Sequence, residues 1–277
     1  MFAIRYRYKS KPQNHLLDSY MTVDEKLLRL RVVIRKHGKH VMNKLFDDYV
    51  TGPITKKVIP SCILCGAEDN LTKEHVLPKW VFENNPKHFF TTDVNQLSQS
   101  YIKATLPACR DCNSDLLNSV ERFIQKTLSQ VDLQKCYYNA EEWENIIRWL
   151  EIIDYKFQVL DVSTKFLAHK EAGYIPALAD LSIAIMRDIS IRSVTSKCRL
   201  SLKRIATKDK GERFNSLIVG RTIEKTFHYF HKSGEFIHLE IPTYNKAFFY
   251  FYEKEFTNNR IAKKEAMKII KSVYGGK

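Results

Sequence analysis

Acidic charge is scarce in this 277-residue chain: 31 Asp and Glu face 45 Lys and Arg, a formal net charge of +14. An excess of that size points to a polyanionic partner, most simply nucleic acid. Apolar runs are short as well. No uninterrupted stretch approaches the ~18–20 residues that cross a bilayer, so a transmembrane helix is excluded and a soluble protein expected. The opening residues Met1-Phe2-Ala3-Ile4 meet Arg5 and Arg7 before an apolar segment can develop, which reads against a secretory leader. Cytoplasmic residence is the expectation. Internal repeats and low-complexity tracts are missing too, which sets repeat architectures aside.

Cysteine is sparse but not scattered. Four of the six fall in two Cys-x-x-Cys pairs, Cys62-Ile63-Leu64-Cys65 and Cys109-Arg110-Asp111-Cys112, the ligand set of a four-thiolate zinc site. This usage reads as metal binding in a reducing compartment rather than disulfide stapling. Cys136 and Cys198 stand alone and read as small buried thiols. Four thiolates close the zinc shell and leave no position for substrate, so the metal is expected to hold the fold while chemistry happens beside it. Gly66, directly after the second thiolate, permits the tight backbone turn that a knuckle requires.

Between the pairs lies Glu74-His75-Val76-Leu77-Pro78-Lys79-Trp80, and Asn113 directly follows Cys112. A purely structural knuckle needs none of Glu74, His75 and Asn113. In this order, residues 58–128 resemble the HNH endonuclease family, in the form whose ββα-metal motif is built on a four-cysteine treble clef. Glu74-His75 matches the carboxylate–histidine pair that opens the family motif, and Cys112-Asn113 matches its close. The resemblance implies metal-dependent hydrolysis of DNA phosphodiesters, leaving 5′-phosphate and 3′-hydroxyl ends. His75 would be the general base, since imidazole titrates near neutral pH. Glu74 and Asn113 would hold a catalytic Mg2+ or Mn2+ that offsets the charge growing on the phosphate and the leaving oxygen. Lys79 and Arg110 are candidates to hold phosphate. The family's middle asparagine, which orients the base, has no clear counterpart: Asn95 is the candidate by order, and a backbone carbonyl is the alternative. Two other readings stay open, a non-catalytic zinc-stabilised nucleic-acid-binding protein and a nuclease directed at RNA.

The expected fold class is α+β. A basic helical extension (1–55) precedes the zinc nuclease module (56–130), and a larger C-terminal α+β region (131–277) is left for target choice or a protein partner. Residues 1–50 carry eleven Lys/Arg against five Asp/Glu, and residues 191–277 carry nineteen against eight. Residues 140–190 reverse the balance, nine acidic against five basic, and are expected to face solvent or a partner. Thr22-Val23-Asp24-Glu25 is a capping-box pattern opening a helix that Gly38 ends or kinks, with a second helical stretch over Val41–Val50. Helical spacing of Leu116, Leu117, Val120, Phe123, Ile124 and Leu128 predicts a helix from Arg110, placing Cys112 and Asn113 in its first turn. Helices over Glu141–Leu160 and Pro176–Ile191 follow. A hairpin about Ser233-Gly234, an aromatic strand over Lys246–Glu253 and a basic helix over Asn259–Val273 close the chain.

Overall fold

A computed structural model describes residues 23–51, 57–85, 88–91, 98–130, 138–164, 190–208, 210, 216–232, 234–252 and 254–274. The opening strand, the helix expected from Pro176, Asn95 and Cys136 lie outside the described residues. The first described element is α1 (Val23–Phe46), which buries Leu27, Leu30 and Ile34 along one stripe. Gly38 does not end it. The helix runs unbroken to Phe46 and into a π turn, Asp47–Thr51. Buried Leu30 and Ile34 before the glycine and Val41 and Met42 after it keep the helix packed through this point, and a single glycine inside a helix is tolerated when packing holds it.

Strand β1 (Leu71–His75) leads through a single helical turn, α2 (Lys79–Phe82), to the short antiparallel strands β2 (Phe89–Thr91) and β3 (Ser98–Ser100). The chain returns as β4 (Thr105–Cys109), antiparallel to β1 with Leu71 opposite Cys109 and His75 opposite Thr105. A π turn, Asp111–Leu117, then runs into α3 (Asn118–Gln130). Leu116, Leu117, Val120, Ile124 and Leu128 are buried as their spacing requires, and Phe123 packs against them at the edge.

The centre of the molecule is α4 (Ala140–Thr164). Sequence patterning gives this helix one apolar side and an acidic face turned outward. The structure corrects that expectation: every residue from Asn145 to Leu160 is buried, including Arg148, Glu151, Asp154 and Lys156. Each of these charges meets a partner inside the fold. Arg148 donates to the Thr207 and Lys208 carbonyls, Glu151 accepts from Lys210 and Tyr250, and Asp154 contacts His231 at 2.8 Å. A helix can be wrapped on all sides when each buried polar group finds such a partner.

Helix α5 (Ser190–Ile205) packs on both α1 and α4. Beyond it, β5 (Leu217–Gly220), β6 (His228–Lys232), β7 (Phe236–Ile241) and β8 (Lys246–Phe251) form an antiparallel sheet in the order β5-β8-β7-β6. The expected hairpin is β6–β7, turned at Gly234 with φ +77°. Side chains of β8 alternate. Phe248 and Tyr250 face α4, while Phe249 and Phe251 face the closing helix α6 (Asn259–Tyr274) through Ala262 and Ala266. Cover on both faces explains why that strand is aromatic at nearly every position. One buried apolar cluster runs from Leu27 through Cys62 and Ile124 to Leu239 and Tyr250, so the three segments read off the sequence share a core. Among the described residues, no helix is long and apolar enough to cross a membrane.

Candidate metal centre

Local backbone chemistry builds the first knuckle. The Gly66 N–H donates to the Cys62 carbonyl at 2.8 Å and the Cys62 N–H to the Ala67 carbonyl at 2.7 Å, folding the loop back on itself. Gly66 takes φ +78°, a conformation that strains any residue with a side chain, and a Cβ there would also displace the exposed His40 ring, 2.7 Å away at Cδ2. The Ile63 N–H donates to the Pro107 carbonyl, which docks the knuckle on β4 and brings Cys109 and Cys112 to it. The four Sγ atoms lie within 4.8 Å of one another, and Cys65 and Cys109 are 3.6 Å apart. A tetrahedron of ~2.3 Å zinc–sulfur bonds has edges of about 3.8 Å, so the donor set fits a metal ion such as zinc. Four thiolates this close repel one another unless a cation is shared. A hydrogen bond from Cys112 holds Cys62 down to about 4, while burial pushes Cys65 up to about 12 and the bond to Cys62 pushes Cys112 upward. Metal capture at this cluster must therefore release protons.

Strand alternation divides the residues beside the cluster. Thr72 and Glu74 share one face of β1, and Lys73 and His75 the other. His75 is half-buried against Phe82, ring centroids 6.2 Å apart, with the Ile102 backbone near its imidazole. Burial and then the charge of Lys79 lower its pKa, with Glu74 and the Ile102 carbonyl pulling the other way. Glu74 is only 7% exposed and points inward, where Oε1 accepts from Lys156 Nζ at 2.7 Å. The same ammonium donates to the His75 carbonyl at 2.9 Å and lies 3.3 Å from Glu121. Burial alone would push Lys156 down, but Glu74 and Glu121 outweigh it and hold the lysine above its ordinary value. Glu121 is pushed up to about 7, by burial and by the charge on Glu74.

Asn113 stands at the start of the turn into α3 and donates from Nδ2 to Thr72 Oγ1 at 2.8 Å. Thr72 spends its own proton on the Ala108 carbonyl, also at 2.8 Å, so it can only accept from the amide. That fixes which way Asn113 points. Nδ2 faces Thr72, which leaves Oδ1 outside that bond. Among the described residues, nothing donates to Asn113 Oδ1 or Glu74 Oε2. Amide and carboxylate oxygens are ligand types that a hard divalent cation takes, and the charge of Lys156 on Glu74 opposes one there. Lys79 and Arg110 are both exposed, Lys79 one short turn beyond His75 and Arg110 between the last two cysteines. No protein-family model, curated protein or solved structure matches the chain.

Thr72, the Ile102 carbonyl, Glu121 and Lys156 were not visible as parts of the site from sequence. Only Lys156 left a trace, a lone cation inside the run Ile152–Leu160 that would need a partner if that helix were buried. Replacing it by methionine would leave Glu74 and Glu121 facing each other without a cation. Breaking a buried pair in this way typically costs roughly 3–5 kcal/mol, so Lys156→Met should lower the denaturant midpoint sharply. A midpoint within error of the parent would show that Lys156 does not hold this strand.

Proposed function

We propose that the chain is a metal-dependent endonuclease of the HNH type, with a treble-clef zinc site supporting a ββα-metal active site that hydrolyses DNA. The observation that carries this reading is the arrangement around β1. A half-buried imidazole sits one residue from a buried carboxylate, and an asparagine beside the metal cluster is tied through its amide to Thr72, on the same face of that strand as the carboxylate. His75 takes the proton of the attacking water. Glu74 and Asn113 would hold Mg2+ or Mn2+, whose charge offsets that developing on the scissile phosphate. Lys79 and Arg110 attract and seat the phosphate. Zinc on the four cysteines has no open position and stays out of the reaction. Reduced thiols at the zinc site suit a cytoplasmic protein.

One observation favours a non-catalytic binding protein instead: Glu74 already neutralises a buried lysine, which competes with any divalent cation. Nicking of supercoiled plasmid by purified protein, dependent on added Mg2+ or Mn2+, separates the two readings, and structured RNA in parallel tests the third. Glu74→Ala and Asn113→Ala should each lower the nicking rate and recover part of it at higher metal concentration. Equal rates for parent and both variants, in zinc-loaded protein, would remove these residues from the site.

A further inference from the structure

A second feature, built from elements that supply none of the residues named above for catalysis, lies along the crossing of α1 and α5. It is a cleft of about 640 Å³. Its floor is apolar, formed by Ile34 and Leu202 over the bare backbone of Gly38. Arg35 and Lys39 rise on one wall, Arg199 and Lys203 on the other, and Lys208 closes the end. All five are exposed, and among the described residues no carboxylate lines the cleft. Elsewhere on α1, Lys26 and Arg29 pair with Asp115, and Lys44 with Asp48 and Glu68. Helix α5 carries no acidic residue at all.

The wall is also held in place. Helix C-terminal carbonyls ordinarily repel anions. Here buried or anchored cations cover them: Arg35 donates to the Ala206 carbonyl at 3.0 Å, Arg148 to those of Thr207 and Lys208, and Lys210 to that of Arg204. The end of α5 is thereby neutralised and the turn bearing Lys208 is pinned. We propose that this cleft seats the sugar–phosphate backbone of duplex DNA. Fixed cations without carboxylates match phosphates, whereas single-strand sites stack bases on aromatic rings, and no aromatic side chain lines this one. The choice of DNA over RNA rests on the endonuclease reading; the cleft itself does not.

The test is binding of a labelled DNA duplex to the full chain without added divalent cation, measured across a salt series. The variant carries Lys39→Gln, Arg199→Gln and Lys203→Gln together, all at exposed positions. Its affinity should fall at least tenfold near physiological salt. Its log–log salt slope should flatten by about 2 to 3, roughly 0.9 for each phosphate that is no longer neutralised. The pair Lys39→Arg and Lys203→Arg, which keeps the charge, should bind as the parent does. Unchanged affinity and slope in the glutamine variant overturn the proposal, as does a parent that prefers single strands to the duplex. Should the triple variant lose its zinc or its cooperative melt, Lys208→Glu alone replaces it, with weaker binding and a slope flatter by about 1 expected, and unchanged affinity and slope overturning the proposal. Failure of the parent to nick DNA would sink the nuclease reading and leave this result standing.

Discussion

Exchanging Cys112 for serine will release the zinc and unfold the region that it ties together. Cys112 is buried in the first turn leading to α3, and its Sγ closes the cluster that joins that helix to the Cys62–Cys65 knuckle and the end of β4. Structural zinc commonly contributes ~10–16 kcal/mol of apparent binding free energy, against a total domain stability of ~5–15. No other interaction here approaches that size. Loss should not stay local, because Cys62 and Cys112 belong to the same buried cluster as Leu30 of α1 and Leu150 of α4. Elemental analysis should find one zinc per parental chain and none in the variant, whose cooperative thermal transition should vanish. A folded, metal-free parent would end the zinc assignment. Because capture releases protons from the thiols, zinc retention should also weaken steadily as pH falls.

His75→Ala should abolish nicking while zinc content, fold and DNA affinity stay at parental values. Losing a general base usually costs ~10²–10⁴-fold in rate, and added metal will not restore it, unlike the losses at Glu74 and Asn113. The pH profile adds a sign. A base works in its neutral form, and burial together with Lys79 lowers the His75 pKa below its ordinary value near 6.5. The imidazole is therefore neutral throughout the neutral range, and the acid limb of the rate profile should fall below pH 6.5 rather than at or above it. The same depression makes the unfolded chain the better proton acceptor, so this histidine's share of stability is lost as pH drops through that value. An acid limb centred above pH 7, or a variant that cuts at the parental rate, would remove His75 from the role.

Local chemistry was readable in the sequence, and long-range pairing was not. Two Cys-x-x-Cys pairs with Gly66 announce a knuckle because thiolate geometry and a positive φ leave few alternatives. The β6–β7 hairpin and the α3 stripe were likewise set by neighbours a few residues apart. Gly38 misled because a lone glycine weakens a helix without having to end it, and the burial of Leu30, Ile34, Val41 and Met42 on either side decides the outcome. Helix α4 misled for a related reason. Glu151, Asp154 and Lys156 interrupt its apolar pattern as a solvated face would, yet their partners are Lys210, His231 and Glu74, between 59 and 82 residues away in sequence. Periodicity registers polarity, not where the opposite charge will come from. Similarly, nothing near Asn113 in sequence foretold that Thr72 would set its amide.

The position of Lys156 bears on whether the zinc-bearing part can be transplanted. A gene fragment ending after α3 would carry all four cysteines, His75, Glu74 and Asn113, everything that a motif search would keep. It would also strand buried Glu74 and half-buried Glu121 without their ammonium and strip the strand of the donor that grips the His75 carbonyl. Chimeras meant to borrow this cysteine-cluster segment should therefore be joined beyond Thr164 rather than at the apparent seam near residue 130.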